Sequence, residues 1–176
     1  MIFIEITGQP CAGKSSFIAQ EVKRFKDIHI HKQIFPKSIL NFVTGIKYLG
    51  FQRIKVLFSW SLKEKAPFFF RINVFRNAVL KFGIFCNLNT SSKMDSNKSL
   101  VDEGLSHLPF LFLKTDTQKV VDFISNELKR VNVRFLKSPG IDVIHDRLLS
   151  RGHKRLKFLS VTHFSKRNKE IEDILL

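Results

Sequence analysis

A chain of 176 residues, 44% of them hydrophobic, is long enough for one domain with a substantial core. Thirty Lys and Arg against fifteen Asp and Glu leave a net charge of +15 and a pI near 10.1, which disfavours cationic partners and favours nucleic acid, phosphorylated small molecules or an anionic membrane surface. No run approaches the roughly eighteen apolar residues of a membrane span, and no basic segment leads an apolar one at Met1, so neither a span nor a signal peptide is expected. The two cysteines, Cys11 and Cys86, form no staple pattern; a cytoplasmic setting is expected, either free or peripheral to the inner membrane face.

The apolar run Ile2-Phe3-Ile4-Glu5-Ile6 predicts a strand, and Ser15 to Lys26 predicts a helix with Phe17, Ile18, Val22 and Phe25 at helical spacing. Between them lies Gly8-Gln9-Pro10-Cys11-Ala12-Gly13-Lys14-Ser15, which fits G-x-x-x-x-G-K-[ST]. Glycines at both ends let successive N–H groups turn inward toward phosphate oxygens, and the helix N-terminus adds its positive end. Gly8, Cys11, Ala12, Gly13, Lys14, Ser15 and Ser16 are therefore candidate nucleotide-binding residues, with Lys14 reaching the β- and γ-phosphates and Ser15 a candidate Mg²⁺ ligand. Cys11 is read as a small spacer in the loop. The stretch resembles the P-loop NTPase superfamily, which implies a nucleoside triphosphate and a parallel sheet with helices on both faces.

Asp27 to Lys32 alternates with period two and predicts a short strand at the sheet edge; His29 and His31 share a side of it but lack the partners of a metal cluster. From Ile28 to Lys93 the chain holds eleven Lys or Arg, ten Phe and one acid, Glu64. Helices are expected over Pro36–Tyr48, Phe51–Lys63 and Pro67–Phe85, with Gly45 and Gly50 as weak points or a stop, forming a basic, Phe-rich insert over 33–93. Its aromatics read first as core beneath a lid. Two other readings are an interfacial surface, with Trp60 and Phe68-Phe69-Phe70 at the headgroup boundary, and a stacking platform for single-stranded nucleic acid. Asn87 to Lys98 reads as a polar loop.

Ser99-Leu100-Val101-Asp102-Glu103-Gly104 predicts a strand ending in two acids. At the tip of a strand beside the phosphate loop, Asp102 is placed to hold Mg²⁺, and Glu103, or alternatively Asp102, is a candidate base for an acceptor hydroxyl. His107 reads as a solvated loop histidine that could touch the acceptor. Leu113 stands where a guanine-reading Asn-Lys-x-Asp motif needs Asn, so guanine specificity is rejected. Asp116 is expected to cap a helix over Thr117–Arg130.

Val131 to Lys137 predicts a strand, Ser138-Pro139-Gly140 a turn and Ile141 to Ser150 a helix ending at Arg151-Gly152. With Arg147, Leu148, Arg151 and Gly152 in place, this run resembles the Arg-Leu-x-x-Arg-Gly segment of small nucleoside- and nucleotide-type kinases. The resemblance implies that Arg147 contacts the nucleotide and that Arg151 and Arg155 belong to a lid over the moving phosphoryl group. A last helix is expected over His163–Leu176. Such kinases usually close with one more strand, so the sheet is expected to lack its last strand. The combined expectation is one α/β domain over 1–176: a three-layer P-loop, kinase-like fold with a parallel sheet, helical insert and lid. It would carry out ATP- and Mg²⁺-dependent phosphoryl transfer to a small, anionic acceptor. The alternatives are an ATP-binding module at the cytoplasmic membrane face and a protein that binds or modifies nucleic-acid ends.

Overall fold

The computed structural model describes residues 3–8, 11–24, 28–31, 37–91, 98–137, 139–150, 152 and 160–175. Its strands are β1 (Ile4–Thr7), β2 (Ile28–His31), β3 (Lys98–Asp102) and β4 (Asn132–Phe135), in the order β2-β3-β1-β4. All pair in parallel, with Ile6 opposite Asp102 and Thr7 opposite Phe135. The edge position expected for the Asp27–Lys32 segment is that of β2. No fifth strand follows β4 among the described residues.

Parallel strands need long crossovers, and helices provide them. These are α1 (Lys14–Arg24), α2 (Lys37–Lys63), α3 (Phe68–Ser91), α4 (Leu108–Leu111), α5 (Thr117–Leu128), α6 (Ile141–Ser150) and α7 (Val161–Leu175), with a 3₁₀ turn at Leu105–His107. Strand alternation sorts the side chains between two faces. Ile4, Ile6 and Leu100 pack with Ile18 of α1 on one face, while Phe3 and Val101 meet α3 and α5 on the other. A third cluster joins Phe110, Ile144, Leu148 and Ile171 of α4, α6 and α7 to Cys11 and Phe135. The result is an α/β fold with helices on both sides of a small parallel sheet, as the sequence implies.

The Phe-rich insert folds into an antiparallel pair, α2 and α3. Gly50 breaks α2 at φ 65 and ψ 173, where the sequence separates two helices. Gly45 is different: it is neither a stop nor a weak point. A Cβ there would run into the carbonyl of Val79, and one on Gly83 into the carbonyl of Asn41, so both glycines exist to let α2 and α3 touch main chain to main chain. Asn87 donates to Asn41 Oδ1 across the same contact at 2.7 Å. This explains why α3 continues to Ser91, through residues whose polarity reads as loop: Asn87 is used for helix pairing and Leu88 is buried. Gly83→Ala is expected to force the helices apart and cost about 2–3 kcal/mol, which for a domain of this size lowers Tm by about 5–10 °C; a thermal melt followed by circular dichroism measures it.

Part of the insert's aromatic set is core: Phe42, Phe70 and Phe75 pack partly buried against it. Phe82 and Phe85 are buried, and Trp60 packs edge-on against Phe112 and Phe123, at 5.6 and 5.1 Å between centroids, rather than standing at a surface. Arg53 pins α2 to α5: it donates to Glu127 at 2.7 Å and to the Phe123 carbonyl at 2.8 Å, and lies over the Phe123 ring. Arg71 donates to the carbonyls of Ala66 and Leu62, closing the end of α2. The run Pro109–Leu113 begins in the short helix α4, where Pro109 suits the first turn. Asp116 caps α5 by accepting from Lys119 N at 3.0 Å, as its position predicts.

Candidate phosphate site at the ends of β1 and β3

β1 ends in a loop that only unusual backbone angles can close. Gly8 has φ 144, and a Cβ there would lie 2.7 Å from the Leu136 carbonyl at the end of β4. Gly13 has φ 95, and Cys11, with φ 66, takes a left-handed conformation that costs a non-glycine residue roughly 1–3 kcal/mol. Cys11 is repaid by packing: its side chain joins the cluster under α6 and α7. Phe17 N donates to Gly13 O at 3.0 Å and starts α1. Cys11, Ala12 and Gly13 are half-buried and Lys14 is buried, while Ser15 and Ser16, at the helix start, are exposed.

Lys14 folds back over the loop. Its Nζ donates to the Gly8 carbonyl at 3.0 Å and pairs with Glu103 Oε1, also at 3.0 Å, and the residue is buried. The loop lysine and the acid after β3, far apart in sequence, therefore meet. The register does this: Ile6 pairs with Asp102, and Glu103 N donates to Ile6 O at 3.0 Å, extending the ladder one residue beyond the strand. Glu103 has φ 57, a second left-handed non-glycine residue at the same crevice.

Two further groups hold Glu103, and composition reveals neither. Lys81 of α3, buried, donates its Nζ to the Glu103 carbonyl. His107 Nε2 lies 3.4 Å from Glu103 Oε2, and its ring is buried against Phe110 at 4.9 Å. His107 is thus not the solvated loop histidine that its setting in the sequence predicts; the 3₁₀ turn folds it inward. Glu5 explains that turn. Its carboxylate, buried on the opposite side of β1 from Ile4 and Ile6, accepts from Leu105 N at 2.9 Å and Ser106 N at 2.8 Å, the orphan donors of the turn. A Cβ on Gly104 would collide with this carboxylate, so the glycine of Asp-Glu-Gly is the opening through which Glu5 reaches.

The electrostatics follow. Burial pushes the Glu103 carboxyl up, but the charges of His107, Lys14 and Lys81 outweigh it and hold it at about 2. Asp102 moves the other way: burial and the neighbouring Glu103 charge raise it, with Lys14 and Lys81 opposing. Burial lowers Lys81, although Glu103, Glu5 and Asp102 favour its charge. Arg147 Nη1 on α6 donates to the Cys11 carbonyl at 3.0 Å, which brings that arginine to the loop itself. Arg151 and Arg155 lie outside the described residues, as do Gln9 and Pro10.

Lys81 had a signal in the sequence: it is the one charge in Ala78-Val79-Leu80-Lys81-Phe82-Gly83-Ile84-Phe85, and a lone cation in so apolar a run needs a buried partner. Of the insert's other cations, Lys47, Lys55 and Arg76 are exposed, while Arg53 and Arg71 turn inward to the protein's own acceptors. Of the insert's described residues, Lys81 bonds to the crevice.

No protein-family model matches the chain, and no curated protein does. Among solved structures it is similar to a deoxyadenosine kinase from M. mycoides with bound dATP, at a TM-score of 0.53 and 16% identity, over 99% of this chain and 84% of that one. At that identity the likeness is one of fold, and the fold is P-loop kinase-like.

Proposed function

We propose that this protein transfers the γ-phosphoryl group of ATP to a small acceptor, with Mg²⁺. The observation that carries the reading is the meeting of Lys14, at the start of α1 in a glycine-bounded loop, with Glu103, the acid that follows β3. The fold shared with a kinase supports it. Because that kinase is a deoxyadenosine kinase, a nucleoside is the first acceptor class to examine.

In this reading the loop amides and Lys14 bind the β- and γ-phosphates, and Arg147 steadies the loop through the Cys11 carbonyl. The Ser15 hydroxyl and the Asp102 carboxylate are the hard oxygen donors that Mg²⁺ takes alongside phosphate oxygens. They fit it on a further count: the raised Asp102 lies beside the negative Glu103, an arrangement that a cation relieves. The ion would supply charge neutralisation between the β- and γ-phosphates. Arg151 and Arg155 are proposed to lie over the moving phosphoryl group.

Glu103 at about 2 is too weak a base to take a hydroxyl proton while Lys14 holds it. Arrival of a triphosphate draws Lys14 to the phosphates and removes one of the three cations that depress the carboxyl. Glu103 then becomes a stronger base in the loaded site, so that base strength is coupled to nucleotide binding. The acceptor is found by offering γ-labelled ATP with nucleosides, sugars and lipid precursors in turn. Label is expected on one class, nucleosides first. Nucleotide binding without label on any acceptor would leave a binding module and sink the transferase.

A further inference from the structure

The insert presents a face to solvent that neither the core nor the phosphate site uses. On α2, Phe51, Lys55, Phe58 and Leu62 fall at spacings of four, three and four, one stripe of a helix. Phe51 is 78% exposed, and at the start of α3 Phe68 and Phe69 are 60% and 86% exposed. Before the Gly50 break, Ile39 and Leu40 are 56% and 63% exposed. So much uncovered apolar surface on one hairpin marks a docking surface.

Charge identifies the occupant. Lys47, Lys55, Lys63 and Lys65 stand exposed among these residues. The one acid from 37 to 91, Glu64, is buried and accepts from Lys114 N at 2.9 Å, so the hairpin offers no carboxylate to solvent. At α5, which Arg53 ties to the hairpin, Asp116 is engaged in the helix cap, Asp122 with Gln118 and Glu127 with Arg53. A second copy docking through the same face would set lysine against lysine. A nucleic-acid strand would use the lysines and the Phe rings but not Ile39, Leu40 and Leu62, whose aliphatic bulk has no stacking partner there. Acyl chains take all the apolar residues and anionic headgroups take the lysines. No described helix is long and apolar enough to cross a membrane, so the contact is one of lying on the surface.

We propose that the outer face of the α2–α3 hairpin docks on an anionic lipid bilayer, with Phe51, Phe68 and Phe69 entering the headgroup boundary and Lys47, Lys55, Lys63 and Lys65 meeting lipid charge. The proposal stands independently of phosphoryl transfer.

The test is co-sedimentation of the full chain with vesicles of phosphatidylcholine, alone or doped with phosphatidylglycerol. Binding is expected on the doped vesicles, falling with added salt. Phe51→Ser with Phe69→Ser should weaken it on the order of tenfold per residue. The triple change Lys47→Glu, Lys55→Glu, Lys63→Glu should weaken it on the order of 100-fold or more, from about fivefold for each lysine at an anionic surface. An unchanged melt and unchanged emission of Trp60, the single tryptophan, show that a variant is folded; the salt series on the unaltered protein serves if one is not. Failure to sediment with doped vesicles, equal sedimentation with neutral ones, or insensitivity to salt and to both variants overturns the proposal. Self-association lost in the serine variant, without vesicle binding, would assign the face to a second copy. Preferential capture of single-stranded oligonucleotides would assign it to nucleic acid.

Discussion

Lys14→Ala is expected to weaken ATP binding by about 100-fold or more, because a lysine that bonds two phosphates makes charge-assisted hydrogen bonds of about 1.5–3 kcal/mol each. The loop itself should survive. Its shape is set by Gly8 and Gly13 at positive φ and by the packing of Cys11, none of which needs the ammonium. Glu103 loses one cation but keeps His107 and Lys81 and is partly open to water, so the fold loses little. Calorimetric titration with a non-hydrolysable ATP analogue, beside a melt of the same variant, separates the two effects. Unchanged affinity in a folded variant would remove the phosphate site from Lys14.

Glu103→Gln is expected to behave in the opposite manner. It should lower kcat by about 10²–10⁴ while leaving nucleotide affinity equal or tighter, since Lys14 no longer has to leave an ion pair to meet phosphate. The same change has a signature without substrate. The carboxyl is ordinarily at 4.5 and is held at about 2 in the fold. A depressed carboxyl adds stability that is fully present above 4.5 and is lost as pH falls through about 2. The glutamine variant should therefore show a shallower loss of stability across that window, read from melts in a pH series. If kcat is unchanged, Glu103 is not the base; if affinity collapses with kcat, the residue shapes the loop instead.

How much of this was legible before the structure differs by residue. The Gly8–Ser15 loop, the α2 break at Gly50, the Asp116 cap and the whole of α6 are local events, dictated by backbone freedom or helical period within a few residues, and the sequence carries them openly. The third helix is different. It is apolar around much of its circumference because it is wedged among α2, α5 and the 3₁₀ turn, so periodicity marks no inward face and does not reveal that Lys81 aims at the crevice. Asn87 reads as loop for the same reason: its partner, Asn41, is forty-six residues away. His107 and Glu5 depend on one another through the turn that Glu5 holds, a contact across a hundred residues that no local pattern encodes.

Because α2 and α3 meet main chain to main chain at Gly45 and Gly83, no side chain lies between them at those two points. Lys81 lies twelve residues beyond Phe69 on α3, about 18 Å along the helix, and rests on the carbonyl of Glu103. One helix therefore joins the exposed Phe69 end of the hairpin to the main chain of the crevice.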